Sequence, residues 1–501
     1  MNISMILEMA ASAEERPAVV TGDRSLTAAG LLELAEAAAA RFAGYPAVLY
    51  LGTNHLAYPV ALFGAARAGV PFVPLNYRLG QQQLSGLIER HPGALLLGQD
   101  DLDGLVAPPA SGPAGTPAGT VVPGERPGER PADSAADGEP AAVLLYTSGT
   151  TAAPKAAVLR HRHLLAYVWN TVEFGSAADG DAALVSVPPY HVAGLANLLT
   201  NLYAGRRLVY LAAFDPGQWL ETARRERVTH ALLVPTMLAR VVAEVDGGAA
   251  AAPTLRSLAY GGARMPLPVL ERALRVFPEA GFVNAYGLTE TASSIAVLSP
   301  EDHRGALASD DPMVRARLGS VGRALPGVEF QIRADDGSAA GPEKSGLVFV
   351  RGDQISGEYG GHSVLDADGW FATRDRGRLD ADGYLFIEGR DDDTIIRGGE
   401  NIAPAEIEDV LLAHPRVTEA AVIGVPDPEW GQRLVAVVVG DGDGTDIDSD
   451  ELRRWVRERL RSSKTPETIV FRSELPKTET GKLLRRVLLA EQAEQAGAVA
   501  G

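Results

Sequence analysis

Strands alternating with helices constrain this chain more than any other feature of its sequence. Between residues 46 and 75, "PAVLYLG" is β-rich, "AYPVALFGAARAG" has apolar residues at helical spacing, and "VPFVPL" reads as a short buried strand. Such alternation implies α/β architecture with largely parallel pairing. The pattern recurs at "ALVSVPP", "RRLVYL", "THALLVP" and "LRSLAYGG", each near a helical segment. The expected fold is therefore α/β, with a large N-terminal domain of mixed, largely parallel sheets and helices. A chain of 501 residues is long enough for two or more such cores.

Two departures from the alternation mark its limits. Residues 109–140, "PASGPAGTPAGTVVPGERPGERPADSAADGEP", are rich in Pro, Gly and Ala and lack apolar periodicity. They read as a flexible surface loop inside the first domain. From Gly383 the texture changes: "GYLFIEGR" is a strand, and "DDDTIIRGGENIAPAEIEDVLLAHPRV" follows as turn, strand, loop and helix. "EAAVIGVPD" and "QRLVAVVVG" are further strands, and "DSDELRRWVRERLRSSK" is a helix with serine or aspartate as N-cap. A large domain at 1–390 and a small α+β domain at 391–501 are expected, the boundary lying at Asp391–Asp393.

Composition excludes several function classes. A formal charge of −18 is wrong for a protein that coats nucleic acid, whose backbone demands a basic footprint. The absence of cysteine removes disulfides, thiolate metal sites and cysteine nucleophiles. The N-terminal segment lacks a basic region followed by a long apolar run, so no secretory signal is expected. The most apolar stretch is interrupted by Arg67 and is too short for a membrane span. A cytoplasmic enzyme is the expectation.

Four segments carry chemistry-bearing residues. In "YTSGTTAAPKAAVL", Thr147, Ser148, Thr150 and Thr151 place hydroxyl and N–H donors on a turn after an apolar strand, and Lys155 adds a cation. Such a turn either cradles phosphate or is a solvated loop; no Walker spacing is present. In "NAYGLTETAS", a glycine turn precedes Thr289, a hydroxyl for a phosphate, and Glu290, a carboxylate for Mg²⁺. The structural reading there is a helix start capped by Thr289 or Thr291. Asp375 is either a ribose-binding carboxylate or a solvated, turn-capping one. Lys482, in "LPKTETGKLLRR", is otherwise an exposed terminal charge.

Together "YTSGTT…PK", "YGLTE", "GRDDDTIIRGGENI…EIE" and "LPKTETGK", in this order over essentially the whole chain, resemble the adenylate-forming superfamily. The wording "GGENIAPAEIE" is most similar to stand-alone acyl- and aryl-CoA ligases. The resemblance implies activation of a carboxylic acid with ATP and Mg²⁺ to an acyl-adenylate, rotation of the small domain, and displacement of AMP by coenzyme A. It implies Thr147, Ser148, Thr150, Thr151 and Lys155 in the pyrophosphate loop, Thr289 at the α-phosphate and Glu290 at the metal. Asp375 and Arg390 would hold the ribose, Tyr286 would lie over the adenine, and "YGGA" with Gly261 would line that side. Lys482 would stabilise the adenylation transition state. Asp392 matches the hinge, and Gly398 and Gly399 the pantetheine tunnel. His191 matches a gate to the acyl pocket, with Thr236, Tyr260 and Ser293 near it.

Several readings remain structural or open. His161 and His163 in "RHRH" lack a further ligand set and read as solvated. Residues 451–486 hold 11 Lys/Arg against 5 Asp/Glu, either a grip for CoA phosphates or an acidic carrier protein, or a solvated helix face. Against the family pattern, Ala152 replaces a glycine, Ala156 another that some aryl-CoA ligases also lack, and Arg374 replaces the glycine of T-G-D. Alanine in a left-handed conformation would cost ~1–2 kcal/mol. Arg374 would either pair with Asp375 and compete with ribose, or add a phosphate contact. Both changes fall in the ATP half of the site. The expectation is a complete acyl-CoA ligase. The alternatives are an enzyme of the thioesterification half alone, supplied with acyl-adenylate by a separate adenylating enzyme, a loader of an acyl carrier protein, or a non-catalytic nucleotide-binding module.

Overall fold

The computed structural model describes residues 1–13, 16–107, 119–124, 139–147, 154–245, 252–441, 447–478, 481 and 483–499. Ser148, Thr150, Thr151, Ala152, Lys482 and most of the 109–140 segment lie outside the described residues. The alternating segments form two sheets. In the nine-stranded sheet, Gly281–Leu288, Ser257–Gly261, His230–Leu233, Ala182–Val185, Arg207–Tyr210 and Pro17–Thr21 lie side by side and parallel. Antiparallel strands close both edges, Ser293–Leu298 with Arg323–Ala324 on one and Arg24–Thr27 on the other. The eight-stranded sheet has a parallel centre of Ala141–Thr147, Phe72–Pro74, Val48–Tyr50 and Leu95–Leu97. Lys155–Arg160 runs back antiparallel beside Ala141–Thr147, and Glu358–Tyr359 pairs with it in turn.

Between the sheets lies a helical layer. Ile6, Leu31, Phe63 and Leu195 from four helices share one core with Val19 of the first sheet and Phe72 of the second. The helix Ala57–Ala68 is apolar all round and buries ten of its twelve residues, as a helix covered on both sides must. Gly64 lets the neighbouring helix Ala28–Phe42 approach: a Cβ there would sit 2.8 Å from that of Ala38. The opposite face of the nine-stranded sheet carries a second core around Trp219, Leu238, Leu258 and Phe282.

His161 and His163 correct the sequence reading. They are buried, not solvated, 4% and 3% exposed, at the start of the helix His161–Thr171. Their Nδ1 atoms accept from the N–H groups of Ile3 and Arg160. Burial lowers their pKa values to about 4 and about 3, so both are neutral wedges. Periodicity did not reveal this for His161 because its partner, Ile3, is 158 residues away.

Downstream, Val328–Arg333, Gly346–Gly352, Phe371–Leu379 and Leu385–Arg390 form an antiparallel four-stranded sheet. The last of these is the "GYLFIEGR" strand, so it belongs to the sheet before it. A short 3₁₀ turn, Asp391–Asp393, leads into the C-terminal portion. There "RGGENI" is not a strand and loop but a hairpin, Ile395–Arg397 against Glu400–Ile402. Gly398 and Gly399 form its turn with φ of +57° and +82°, the left-handed pair that a tight hairpin needs. Helices Pro404–Leu412 and Ser449–Arg457 pack on a sheet of Val417–Asp427, Gly431–Gly440 and Thr468–Phe471. Asp448 caps the second helix, its carboxylate accepting from Asp450 N–H at 3.0 Å. No helix among the described residues is long and apolar enough to cross a membrane.

Candidate active site

Parallel sheets bind ligands beyond the carboxyl ends of their strands, where backbone groups and loop side chains converge. The candidate residues follow that rule. His191 lies beyond Ala182–Val185, Thr236 beyond His230–Leu233, Gly261 ends Ser257–Gly261, and Tyr286 is near the end of Gly281–Leu288. Thr147 ends the corresponding strand of the other sheet, and Lys155 opens the strand that returns beside it.

At the centre is a buried carboxylate. Asp375 is 5% exposed and lies opposite Arg390 across the strand pair. Its Oδ2 accepts from the Tyr286 hydroxyl at 2.5 Å and its Oδ1 from Arg390 Nη1 at 3.1 Å. Burial, then the Asp375 charge, pushes the Tyr286 phenol well above its ordinary range, so it stays a donor at neutral pH.

Arg374 does not compete for Asp375. Strand alternation turns its side chain to the opposite face, where it is 66% exposed and lies 3.9 Å from Asp392 Oδ2. Its φ is +62°, a left-handed value that explains why a glycine would suit the position.

The "YGLTE" stretch also departs from expectation. Gly287 continues the strand across a bulge, and Thr289–Thr291 is a single 3₁₀ turn between two strands, not the start of a helix. Thr291, fully buried, accepts from Leu288 N–H and donates to Ser293 O. Ala292 and Ser293 have φ of +54° and +123°, the kind of strain that persists where surrounding contacts over-determine the backbone. The turn buries Glu290, 8% exposed. Its carboxylate has a neutral partner, the hydroxyl of Tyr359. No ion pair to Glu290 occurs among the described residues, and a buried carboxylate left unpaired is costly, which suits it to a divalent ion. No cluster of three His, Asp or Glu side chains that could hold a metal ion occurs among the described residues.

Of the residues assigned to an acyl pocket, Tyr260 is corrected. Its ring is fully buried in the core behind the sheet and its hydroxyl is hydrogen-bonded to His303 at 2.9 Å. It can offer a ligand only its backbone. His191 starts the helix Val192–Ala204 with its ring 4.6 Å from that of Tyr190, which meets Tyr77. Ser293 is buried beside the strained turn. Thr236 lines a cavity of about 380 Å³ with Asn54, Arg78, Ser186, Arg240 and Lys477. Gly481 of the C-terminal portion packs directly on Thr236.

Ion pairs neutralise much of the basic 451–486 region. Seven of its Lys/Arg side chains, Arg453, Arg459, Arg461, Lys464, Arg472, Lys477 and Arg485, pair with nearby carboxylates.

Sequence reasoning missed three supports. Tyr359 contacts Glu290; its only signal was one aromatic among glycines in "GEYGG". His91 and Arg90 bond residues on either side of the "TSGTT" segment, His91 Nε2 with Tyr146 OH at 2.8 Å and Arg90 Nη1 to Pro154 O at 2.8 Å. Nothing in their local sequence points there.

The model of the AMP-binding enzyme family matches residues 7–359, and that of the AMP-binding enzyme C-terminal domain matches 406–482. Feruloyl-CoA synthase of Amycolatopsis sp is 36% identical over 446 residues, covering 87% of each chain. The 2-succinylbenzoate–CoA ligase of Bacillus licheniformis is 33% identical, covering 95% of this chain and 96% of that one. Among solved structures, o-succinylbenzoate CoA synthetase from Bacillus subtilis, in complex with its acyl-adenylate intermediate, superposes with a TM-score of 0.79 at 28% identity, covering 96% and 97%. ATP-bound MatB from Rhodopseudomonas palustris gives 0.82 at 26%, covering 98% and 99%.

Proposed function

The chain belongs to the family of AMP-binding enzymes, and from that premise we propose that it joins an aromatic carboxylic acid to coenzyme A through an acyl-adenylate made at its own site. It is an AMP-forming acid–CoA ligase of the adenylate-forming superfamily, using ATP, Mg²⁺ and coenzyme A. The aromatic class is supported by relatives named for feruloyl, 2-succinylbenzoate and indoleacetate thioesters.

In the first half-reaction the carboxylate oxygen bonds to the α-phosphorus of ATP and the bond to pyrophosphate breaks. Asp375 and Arg390 hold the ribose, and Tyr286, with Gly261 opposite, borders the adenine. Thr289 meets the α-phosphate, and Glu290 would hold Mg²⁺, which would supply positive charge against the phosphates. Thr147 and Lys155, with Ser148, Thr150 and Thr151, take the pyrophosphate. Lys482 stabilises the charge that develops between carboxylate and phosphate; its neighbour Gly481 rests on Thr236. In the second, the thiol sulfur bonds to the acyl carbon, its proton leaves, and AMP departs. The domain of 391–501 pivots at Asp392, and the Gly398–Gly399 turn lines the path of the pantetheine. His191, Thr236 and Ser293 border the acid.

The observation that carries adenylation by this chain is the hydrogen-bonded Tyr286–Asp375–Arg390 arrangement around a buried carboxylate, with Arg374 exposed and near Asp392. The test is paired: CoA thioester from aromatic acid plus Mg-ATP, and from prepared acyl-adenylate without ATP. Both routes should yield product. Product from the adenylate alone would overturn the first half of the proposal.

A further inference from the structure

We infer that Tyr359 is a positioning residue for the adenylation half-reaction, fixing the carboxylate of Glu290 toward a divalent cation while its ring lies beneath the ammonium of Lys155. The inference rests on the reading of Glu290 as the metal-binding carboxylate. Tyr359 donates its hydroxyl proton to Glu290 Oε1, and Lys155 Nζ lies 5.9 Å from its ring centroid. One side chain thus meets two charged groups carried by separate elements, Glu290 on the 3₁₀ turn and Lys155 on the strand Lys155–Arg160.

Its own position is fixed. Tyr359 pairs with Ala157 across the strands Glu358–Tyr359 and Lys155–Arg160. The adjacent Glu358 is buried and doubly bonded to Arg160, Oε2 to Nε at 2.9 Å and Oε1 to Nη2 at 2.7 Å. The same segment grips the Glu290 turn through its backbone: Ser356 N–H donates to Glu290 O at 2.8 Å, and Gln354 Nε2 donates to Thr291 O at 3.0 Å and Ser294 O at 2.8 Å. Rigid support on both partners makes their hydrogen bond a directional constraint.

The chemistry follows. A phenol ordinarily keeps its proton near neutral pH, so Tyr359 is the donor and the carboxylate the acceptor. With Oε1 engaged, the carboxylate is held in one rotamer and presents Oε2 to the ion. Outer partners of this kind typically change metal affinity 10–100-fold. The ring adds a weaker attraction that restrains Lys155.

Tyr359→Phe removes the hydroxyl and keeps the ring. Mn²⁺ binding, followed by its paramagnetic resonance signal with a non-hydrolysable ATP analogue present, should weaken by about 10-fold. The Mg²⁺ concentration for half-maximal adenylate formation should rise in step, while thioester formation from prepared acyl-adenylate stays within about twofold. Glu290→Gln run in parallel separates the two levels. Loss of Mn²⁺ binding in Glu290→Gln with wild-type binding in Tyr359→Phe would overturn this inference and leave the metal reading standing. Wild-type Mn²⁺ binding in both would overturn the metal reading itself. An equal fall of both half-reactions in Tyr359→Phe, with Mn²⁺ affinity unchanged, would mark a merely structural tyrosine.

Discussion

Arg374 and Asp375 are adjacent in sequence and opposite in consequence. Asp375 faces inward and carries charge-assisted hydrogen bonds, each worth about 1.5–3 kcal/mol when charge is involved. Asp375→Asn should therefore raise KM for ATP on the order of 10–100-fold, read from initial rates of adenylate formation. Arg374 faces outward, so Arg374→Gly should leave that KM within about twofold. Glycine relieves the left-handed strain, about 1–2 kcal/mol, but loosens the unfolded chain by about 0.5–1 kcal/mol. The net should be a small rise in resistance to urea. A large drop in KM would restore the idea that Arg374 competes with ribose. The two residues could not be separated in the string "TRD", because the facing of a strand residue depends on which side of the sheet is covered.

Helix and strand segments were legible wherever burial was one-sided or complete. The apolar run "AYPVALFGAARA" became the central helix, and its glycine is a packing device. Gly64→Ala should cost about 1–3 kcal/mol, the usual range for overpacking, seen as a lower urea midpoint. The helix His161–Thr171 makes a pH prediction. His161 and His163, with His91, have pKa values near 4, 3 and 4 in the fold against about 6.5 unfolded. Between those values the unfolded chain binds more protons, so stability is full above pH 6.5 and falls as pH drops toward 4. The slope is about 1.4 kcal/mol per pH unit for each such histidine. Urea titrations from pH 7 to 5 should show it, and His163→Gln should flatten it. Equal slopes in both proteins would mean that His163 is solvated after all. The hairpin at Gly398–Gly399 was half legible: the glycines announced a turn, but the second strand, three residues long, had no periodicity to read.

Over the whole molecule, the C-terminal portion meets the large one at Gly481 against Thr236 and at Arg264 with Asp409. A Cβ on Gly481 would lie 2.3 Å from Thr236 Cγ2, at a residue whose φ is +77°. Gly481→Ala should slow adenylate formation at least about 10-fold and leave thioester formation from prepared adenylate within a factor of about three, if that contact belongs to the first half-reaction. Thr236→Ala in the same chain removes the clashing atoms and should restore part of the loss. No restoration would assign the defect to backbone strain alone.

By itself the sequence determined the α/β class and the family, because hydrophobic periodicity and motif spacing are local and survive without coordinates. It also named Asp375, Arg390, Tyr286 and Glu290 through their resemblance to known motifs. The tertiary structure alone decided which neighbours those groups have. Tyr359 reaches Glu290 across 69 residues, and Arg390 meets Asp375 across a strand pair. His161 is covered by Ile3, Tyr260 is turned into the core, and seven cations of the basic stretch are paired with carboxylates. These are questions of burial and facing, and both depend on what the rest of the chain packs against.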